Sequence, residues 1–208
     1  MRIESLSPSA DRVGRYRVLF EDGTILRLYR QTVEDFGLYA GMELSREDYD
    51  RLRSAAGQMS AKMRALRIVA ASNVSKSDLE QRLIHKGENP TDAQRAVSWM
   101  EDISLLDDEK TAQQIVDRCI AKGYGLARAK QALYEKRIPK EIWENVLADY
   151  PEQTDAIMEF LTSRLDGHSD EKEVRRAIDA LLRRGHTYRA IRRCLEQLNL
   201  DTEEFPEE

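Results

Sequence analysis

The rhythm of hydrophobic and polar positions changes after residue 30 of this chain. Before that point the pattern alternates. In "RYRVLFEDGTILRLYR", Tyr16, Val18 and Phe20 alternate with Arg17 and Leu19, Asp22-Gly23 sits at a tight turn, and a second β-prone run follows. Alternation broken by Asp-Gly predicts a β-hairpin. Residues 3–6 supply a candidate third strand, which a hairpin needs because two strands alone are marginal in water.

Beyond the hairpin the spacing becomes helical. In "LSRED", Ser45 is placed to cap a helix with Asp48 as its box partner. Tyr49, Leu52, Ala56, Met59, Met63, Leu66 and Ala70 then recur at steps of three and four, an apolar stripe on one helix or on two broken near Gly57.

An internal repeat follows. Residues 79–100, 129–150 and 177–198 align without gaps. Leu79, Ala129 and Ala177 share a column, as do Leu83, Leu133 and Leu181, and then Ile84, Tyr134 and Leu182. Lys86, Lys136 and Arg184 precede Gly87, Arg137 and Gly185, after which apolar columns resume at Ala93, Trp143 and Ile191. Each copy therefore reads as helix, tight turn, helix. Glycine ends a helix in the left-handed conformation, and a basic residue before it suits the negative helix end. Thr91 with Gln94 makes a capping box for one second helix, and Pro139 suits the first turn of another. A further apolar helix precedes each pair, at residues 66–70, 112–120 and 156–165, giving three units at a period of about 50 residues. Units of that kind bury one another's faces as an array.

The expected architecture is mostly α, with tandem three-helix repeats behind a small N-terminal β-hairpin segment. The divisions are 1–44 for the hairpin segment, 45–62 for a linking helix, 63–106, 107–150 and 151–200 for the repeats, and 201–208 for an acidic tail.

Composition narrows the function. Of 208 residues, 41% are hydrophobic and 34% charged, with a net charge of −5. That balance argues against a chain that merely coats nucleic acid, although a local basic face remains open. No apolar run approaches a membrane span, and the N-terminus lacks the apolar core of a signal peptide. Cys119 and Cys194 read as buried thiols of a reducing cytoplasm. His85, His168 and His186 have no metal-ligand spacing and read as surface or helix-end residues.

Two stretches invite a chemical reading. "KGYG" at 122–125 has the glycines of a phosphate-binding turn, but no strand precedes it and no GK[ST] or GxGxxG accompanies it, so it reads as a hinge and helix cap. Asp107, Asp108 and Glu109 could suggest a Mg²⁺ nuclease. Adjacent side chains diverge on a helix, and acids before an apolar run suit a helix start. No catalytic motif is visible, so neither an enzyme, a cofactor nor a metal site is expected. The basic residues are more informative. Residues 174–198 contain Arg175, Arg176, Arg183, Arg184, Arg189, Arg192 and Arg193 against Asp179 and Glu196. Arginine's planar fork suits phosphate and carboxylate alike. Lys122, Tyr124, Arg128, Lys130 and Lys136 form a second candidate group around the 122–125 turn.

Three stretches, "SKSDLEQRLIHKG" (75–87), "LLDDEKTAQQIVDRCIAKGYGLARAKQALYEKRI" (105–138) and the weaker "VRRAIDALLRRGHTYRAI" (174–191), resemble the RecX family, bacterial regulators of the RecA recombinase. One departure is Arg137, where the family usually has glycine. The resemblance implies a curved array of three-helix repeats that binds RecA and its filament on single-stranded DNA. It implies modulation, usually inhibition, of ATP hydrolysis, strand exchange and LexA cleavage, by a cytoplasmic monomer without membrane attachment. Direct DNA contact is secondary under this reading. The alternative is a stand-alone DNA-binding helical protein acting without RecA.

Overall fold

A computed structural model describes residues 1–9, 14–166 and 169–198. His168 and the acidic tail with Asp201, Glu203, Glu204, Glu207 and Glu208 lie outside the described residues. The chain divides into two compact units between Leu106 and Asp107. The described residues are mostly helical, with one small sheet.

In the first unit, β1 (Ile3–Pro8), β2 (Arg15–Phe20) and β3 (Ile25–Tyr29) form an antiparallel sheet in that order. Val18 lies opposite both Leu6 and Leu26. Gly23 turns the hairpin at a φ of +82°, and the Asp22 carboxylate accepts the Thr24 amide at 3.0 Å. A short helix that alternation did not predict, α1 (Arg30–Asp35), continues from β3.

The apolar stripe after Ser45 is one unbroken helix, α2 (Arg46–Ala71), capped by the Ser45 hydroxyl on the Asp48 amide at 3.0 Å. It runs straight through residue 62. Its first half buries Leu52 against Ile3, Val18, Phe20 and Leu28 of the sheet. The second half buries Ala61 and Ala65 with Leu79, Leu83, Ala93 and Met100 of α3 (Lys76–His85) and α4 (Pro90–Asp102). Gly57 does not break α2; a Cβ there would stand 2.6 Å from the Asp92 carboxylate on α4. The cap of α4 differs from expectation. Asn89 accepts the Thr91 amide and Pro90 takes the first helical position, so Thr91 lies inside the helix.

The second unit holds two three-helix groups. One is α5 (Asp108–Ala121), α6 (Leu126–Glu135) and α7 (Lys140–Leu147). The other is α8 (Thr154–Thr162), α9 (Glu171–Arg183) and α10 (Tyr188–Gln197). Each has its own buried cluster. Pro139 precedes α7 as its N-cap rather than entering the first turn.

The aligned columns explain the repeat physically. Leu83, Leu133 and Leu181 are each 0% exposed, and Leu79, Ala129 and Ala177 are buried beside them. The next column does not hold: Ile84 is half-buried, but Tyr134 is 65% and Leu182 42% exposed. Leu182 therefore lies outside the apolar stripe assigned to it.

The turns are alike down to their hydrogen bonds. In the first, Gly87 and Glu88 donate to the carbonyls of Ile84 and Leu83 at 2.9 and 3.1 Å. Arg137 and Ile138 repeat this with Tyr134 and Leu133 at 2.9 and 3.0 Å, and Gly185 and His186 with Leu182 and Leu181 at 2.9 and 3.2 Å. This double bond requires a left-handed residue. Gly87 and Gly185 take φ of +88° and +86°, and Arg137 takes +53° in the same role. Losing the glycine keeps the turn and adds backbone strain.

Candidate binding surface

The glycines at 123 and 125 answer to neighbouring protein rather than to phosphate. Gly123 ends α5 at a φ of +63°, and Gly125 caps α6. The Gly125 amide donates to the Arg184 carbonyl at 3.0 Å and the Ala127 amide to the Gly185 carbonyl at 3.2 Å. A Cβ on Gly125 would lie 2.1 Å from the Gly185 oxygen, and one on Gly185 would lie 2.2 Å from the Arg128 nitrogen. Two turns sixty residues apart thus dock backbone to backbone. The helix N-terminus that could have faced an anion instead faces carbonyls of the next group. Beside this joint the Tyr150 hydroxyl donates to the Tyr124 carbonyl at 2.7 Å, and the Gln153 amide to that of Ile120 at 3.2 Å.

His186 lies in the same joint. The sequence places it at a helix end on the surface, but it is only 6% exposed, and neither ring nitrogen has a hydrogen-bond partner among the described residues. Burial lowers its pKa, and the Arg184 charge adds to this, against an opposing pull from the Gly123 backbone. His85 ends α3 on the surface, as expected.

The thiols are buried in separate clusters, Cys119 within α5–α7 and Cys194 within α8–α10. Desolvation raises both pKa values, which leaves the thiols protonated and unreactive. The Asp107 carboxylate accepts the Lys110 amide at 3.0 Å, and Asp108 and Glu109 sit in the first turn of α5. Among the described residues no His, Cys, Asp and Glu groups are arranged to hold a metal ion. No helix among them is long and apolar enough to cross a membrane.

The candidate basic residues separate by environment. Arg175, Arg176 and Arg183 on α9 and Arg189 on α10 are exposed, and none forms an ion pair with a described residue. Their helices bury Val174, Ala177, Ile178, Leu181, Ala190, Ile191, Cys194 and Leu195, which turns the arginines outward. Arg192 pairs with Glu196 at 3.1 Å, and Arg193 with Glu152.

Arg184 is half-buried with its guanidinium 4.5 Å from the centre of the Phe160 ring. Arg164, which sequence reasoning missed, stands 4.4 Å from the same ring. Its signal was the step of four from Phe160 along a helical stripe. Phe160 and Arg184 line a cleft of about 530 Å³ with Lys122, Gln153, Glu159 and Ser163.

The second candidate group is less available. Tyr124 is half-buried against the α5–α7 cluster, not exposed, with the Lys122 ammonium 6.0 Å from its ring. Arg128 pairs with Glu135 at 3.1 Å, Lys136 is half-buried, and Lys130 is exposed.

The family description "RecX, second three-helix domain" matches residues 107–147, which hold α5 to α7. Regulatory protein RecX of Vibrio campbellii is 26% identical over 146 residues, 69% of this chain and 93% of its own. That of Halorhodospira halophila is 27% identical over 158 residues, 74% of this chain and 98% of its own. A crystal structure of regulatory protein RecX covers 95% of this chain and 98% of its own at a TM-score of 0.63, and with 18% identity it bears on the fold alone. Fold and surface together define a mostly helical protein with three-helix groups and one small antiparallel sheet, among relatives named for regulation. The second unit's first three-helix group thus matches the RecX family, and the relatives similar over about 70% of the chain are regulatory proteins RecX.

Proposed function

We infer that this protein binds RecA and the filament RecA forms on single-stranded DNA, and that it lowers the filament's ATPase, strand-exchange and LexA-cleavage activities without catalysing a reaction itself. It acts as a cytoplasmic monomer. Similarity to regulatory proteins RecX supports the partner, and one observation supports the surface. Four arginines, Arg175, Arg176, Arg183 and Arg189, project from α9 and α10 with no ion pair among the described residues. Exposed arginine contributes little to folding, because surface pairs are worth about 0–1 kcal/mol. The same side chain at an interface can be worth about 2 kcal/mol or more. In this reading Arg192 and Arg193 exchange Glu196 and Glu152 for the partner, and Lys122 and Lys130 extend the surface.

The test is RecA's DNA-dependent ATPase with purified protein added. Turnover falls, and the protein alone hydrolyses no ATP. Unchanged RecA turnover at saturating protein, across several salt concentrations, removes the proposal. Binding to bare DNA in the absence of RecA, with no effect on RecA itself, would instead favour a stand-alone DNA-binding protein.

A further inference from the structure

The outer face of the sheet in the first unit is basic. The alternation that buries Val18 and Leu28 turns Arg15, Arg17, Arg27 and Tyr29 to the other face. There Ser7, Arg17 and Arg27 stand in one row across the three strands, and Arg15 lies opposite Tyr29. Like charges directly opposite one another destabilise a sheet. A charge on an edge strand guards against unwanted pairing, but Arg17 is on the central strand. Folding therefore supplies no reason for the Arg17–Arg27 pair.

The basic face continues into a cleft. The Tyr29 hydroxyl accepts from the Arg15 guanidinium, which also lies 4.3 Å from the ring centre, and from Arg67 of α2 at 3.2 Å. Arg67 in turn lines a cleft of about 400 Å³ with Arg64, Ser72, Arg82 and Lys86, and no carboxylate among the described residues lines it. Arg82 pairs with Asp78 at 2.9 Å and Arg64 with Glu88 at 2.6 Å. Arg15, Arg17, Arg27, Arg67 and Lys86 form no ion pair with a described residue. All of them belong to the first unit.

We propose that this surface, from the outer sheet face to the cleft beside α2 and α3, binds single-stranded nucleic acid through its phosphates. It is a separate site from the α9–α10 arginines, and it does not depend on RecA being the partner. A protein partner needs buried aromatic or apolar anchors at the centre of its footprint. Here the side chains are arginine, lysine and serine, and Tyr29 is half-buried beneath two guanidiniums. A continuous run of cations with hydroxyls is what a phosphodiester backbone recognises. A single strand bends at every nucleotide and can follow cations from a sheet face into a cleft. A duplex is stiff over about 150 base pairs and meets such a path only at points.

The experiment is fluorescence anisotropy of a labelled oligothymidylate of about 20 nucleotides, longer than the roughly 4–16 that one small strand-binding fold covers, titrated with the full chain. With five unpaired cations on phosphates, log K should fall against log salt with a slope of about −3.5. Arg17→Gln with Arg27→Gln should weaken binding about tenfold to a hundredfold at about 50 mM salt and flatten the slope by about 1.4. Removing facing like charges should not lower the urea midpoint, so that loss is not one of folding. Arg67→Gln with Lys86→Gln should act alike from the cleft. Arg46→Gln with Arg53→Gln removes the same charge from the half of α2 that packs on the sheet's buried face, and should change affinity by about twofold at most.

A parent chain that does not bind the strand, or affinity and slope unmoved in both of the first two variants, overturns the proposal. Equal binding of a duplex of the same length does so too. Polyglutamate bound in place of the strand, and lost in the same two variants, would give the surface to an acidic protein instead. RecA is absent throughout, so failure here leaves the RecA reading standing, and an unresponsive RecA ATPase leaves this surface standing.

Discussion

Replacing Gly185 with alanine tests the joint between the two three-helix groups of the second unit, and Gly87→Ala is its control. The two glycines share a role in the repeat and nearly the same φ, +86° and +88°. Alanine in the left-handed region costs about 1–2 kcal/mol at either site. Around Gly87 a Cβ meets nothing within 4 Å, so the expected loss ends there. At Gly185 it would stand 2.2 Å from the Arg128 nitrogen and 2.7 Å from the Arg128 Cβ. Backbone cannot rotate aside, so overpacking adds about 1–3 kcal/mol. Parting the turns would also break the Gly125 and Ala127 hydrogen bonds, at about 0.5–1.5 kcal/mol each. The expected loss for Gly185→Ala is about 3–8 kcal/mol, a large share of a typical domain's 5–15 kcal/mol. Urea unfolding gives the totals, and hydrogen exchange at the Gly125 and Ala127 amides localises the damage. If both alanines cost the same and those two amides stay protected in Gly185→Ala, the turns are not closely docked and the argument fails.

Three further outcomes are expected. His186 has a native pKa below its unfolded value near 6.5. The unfolded state therefore takes up the proton first as pH falls, and stability conferred by the second unit declines from about pH 6.5 down to the native pKa. Urea midpoints at pH 7.5 and 5.5 should differ in the parent and converge in His186→Leu; an unchanged difference assigns the effect to other groups. The double substitution Arg183→Glu with Arg189→Glu should change stability by at most about 0.5 kcal/mol yet abolish most RecA modulation, with the greatest loss at low salt. A folded double variant that modulates RecA like the parent would move the surface towards Lys122 and Lys130. Cys119 and Cys194 should resist a thiol reagent in the native protein and react on unfolding, and serine at either site should cost about 1–3 kcal/mol by burying a hydroxyl. Rapid native labelling of either thiol would contradict its burial.

The sequence alone carried the elements and the repeat. Apolar steps of three and four needed only local geometry, and they located Leu83, Leu133 and Leu181, which are fully buried. Helix ends were legible because caps act within a few residues, as Ser45 does on Asp48 and Asp107 on Lys110. Arg183 and Arg189 lie off the buried stripe of Leu181, Ala190, Ile191 and Leu195, an outward direction that helical period alone implies. Pattern could not decide what depends on distant chain. Leu182 fits the repeat as well as Leu181, but only packing against α8 and α10 determines which is covered, and Leu182 stays 42% exposed. His186 looks like a polar turn residue and is buried because a second turn, at Gly123 and Gly125, closes over its own. The glycines at 125 and 185 each have a local reason to be glycine, and their close approach adds another that neither segment contains. Periodicity is a property of neighbours along the chain, whereas close approach is settled by tertiary folding, and that is where this joint was decided.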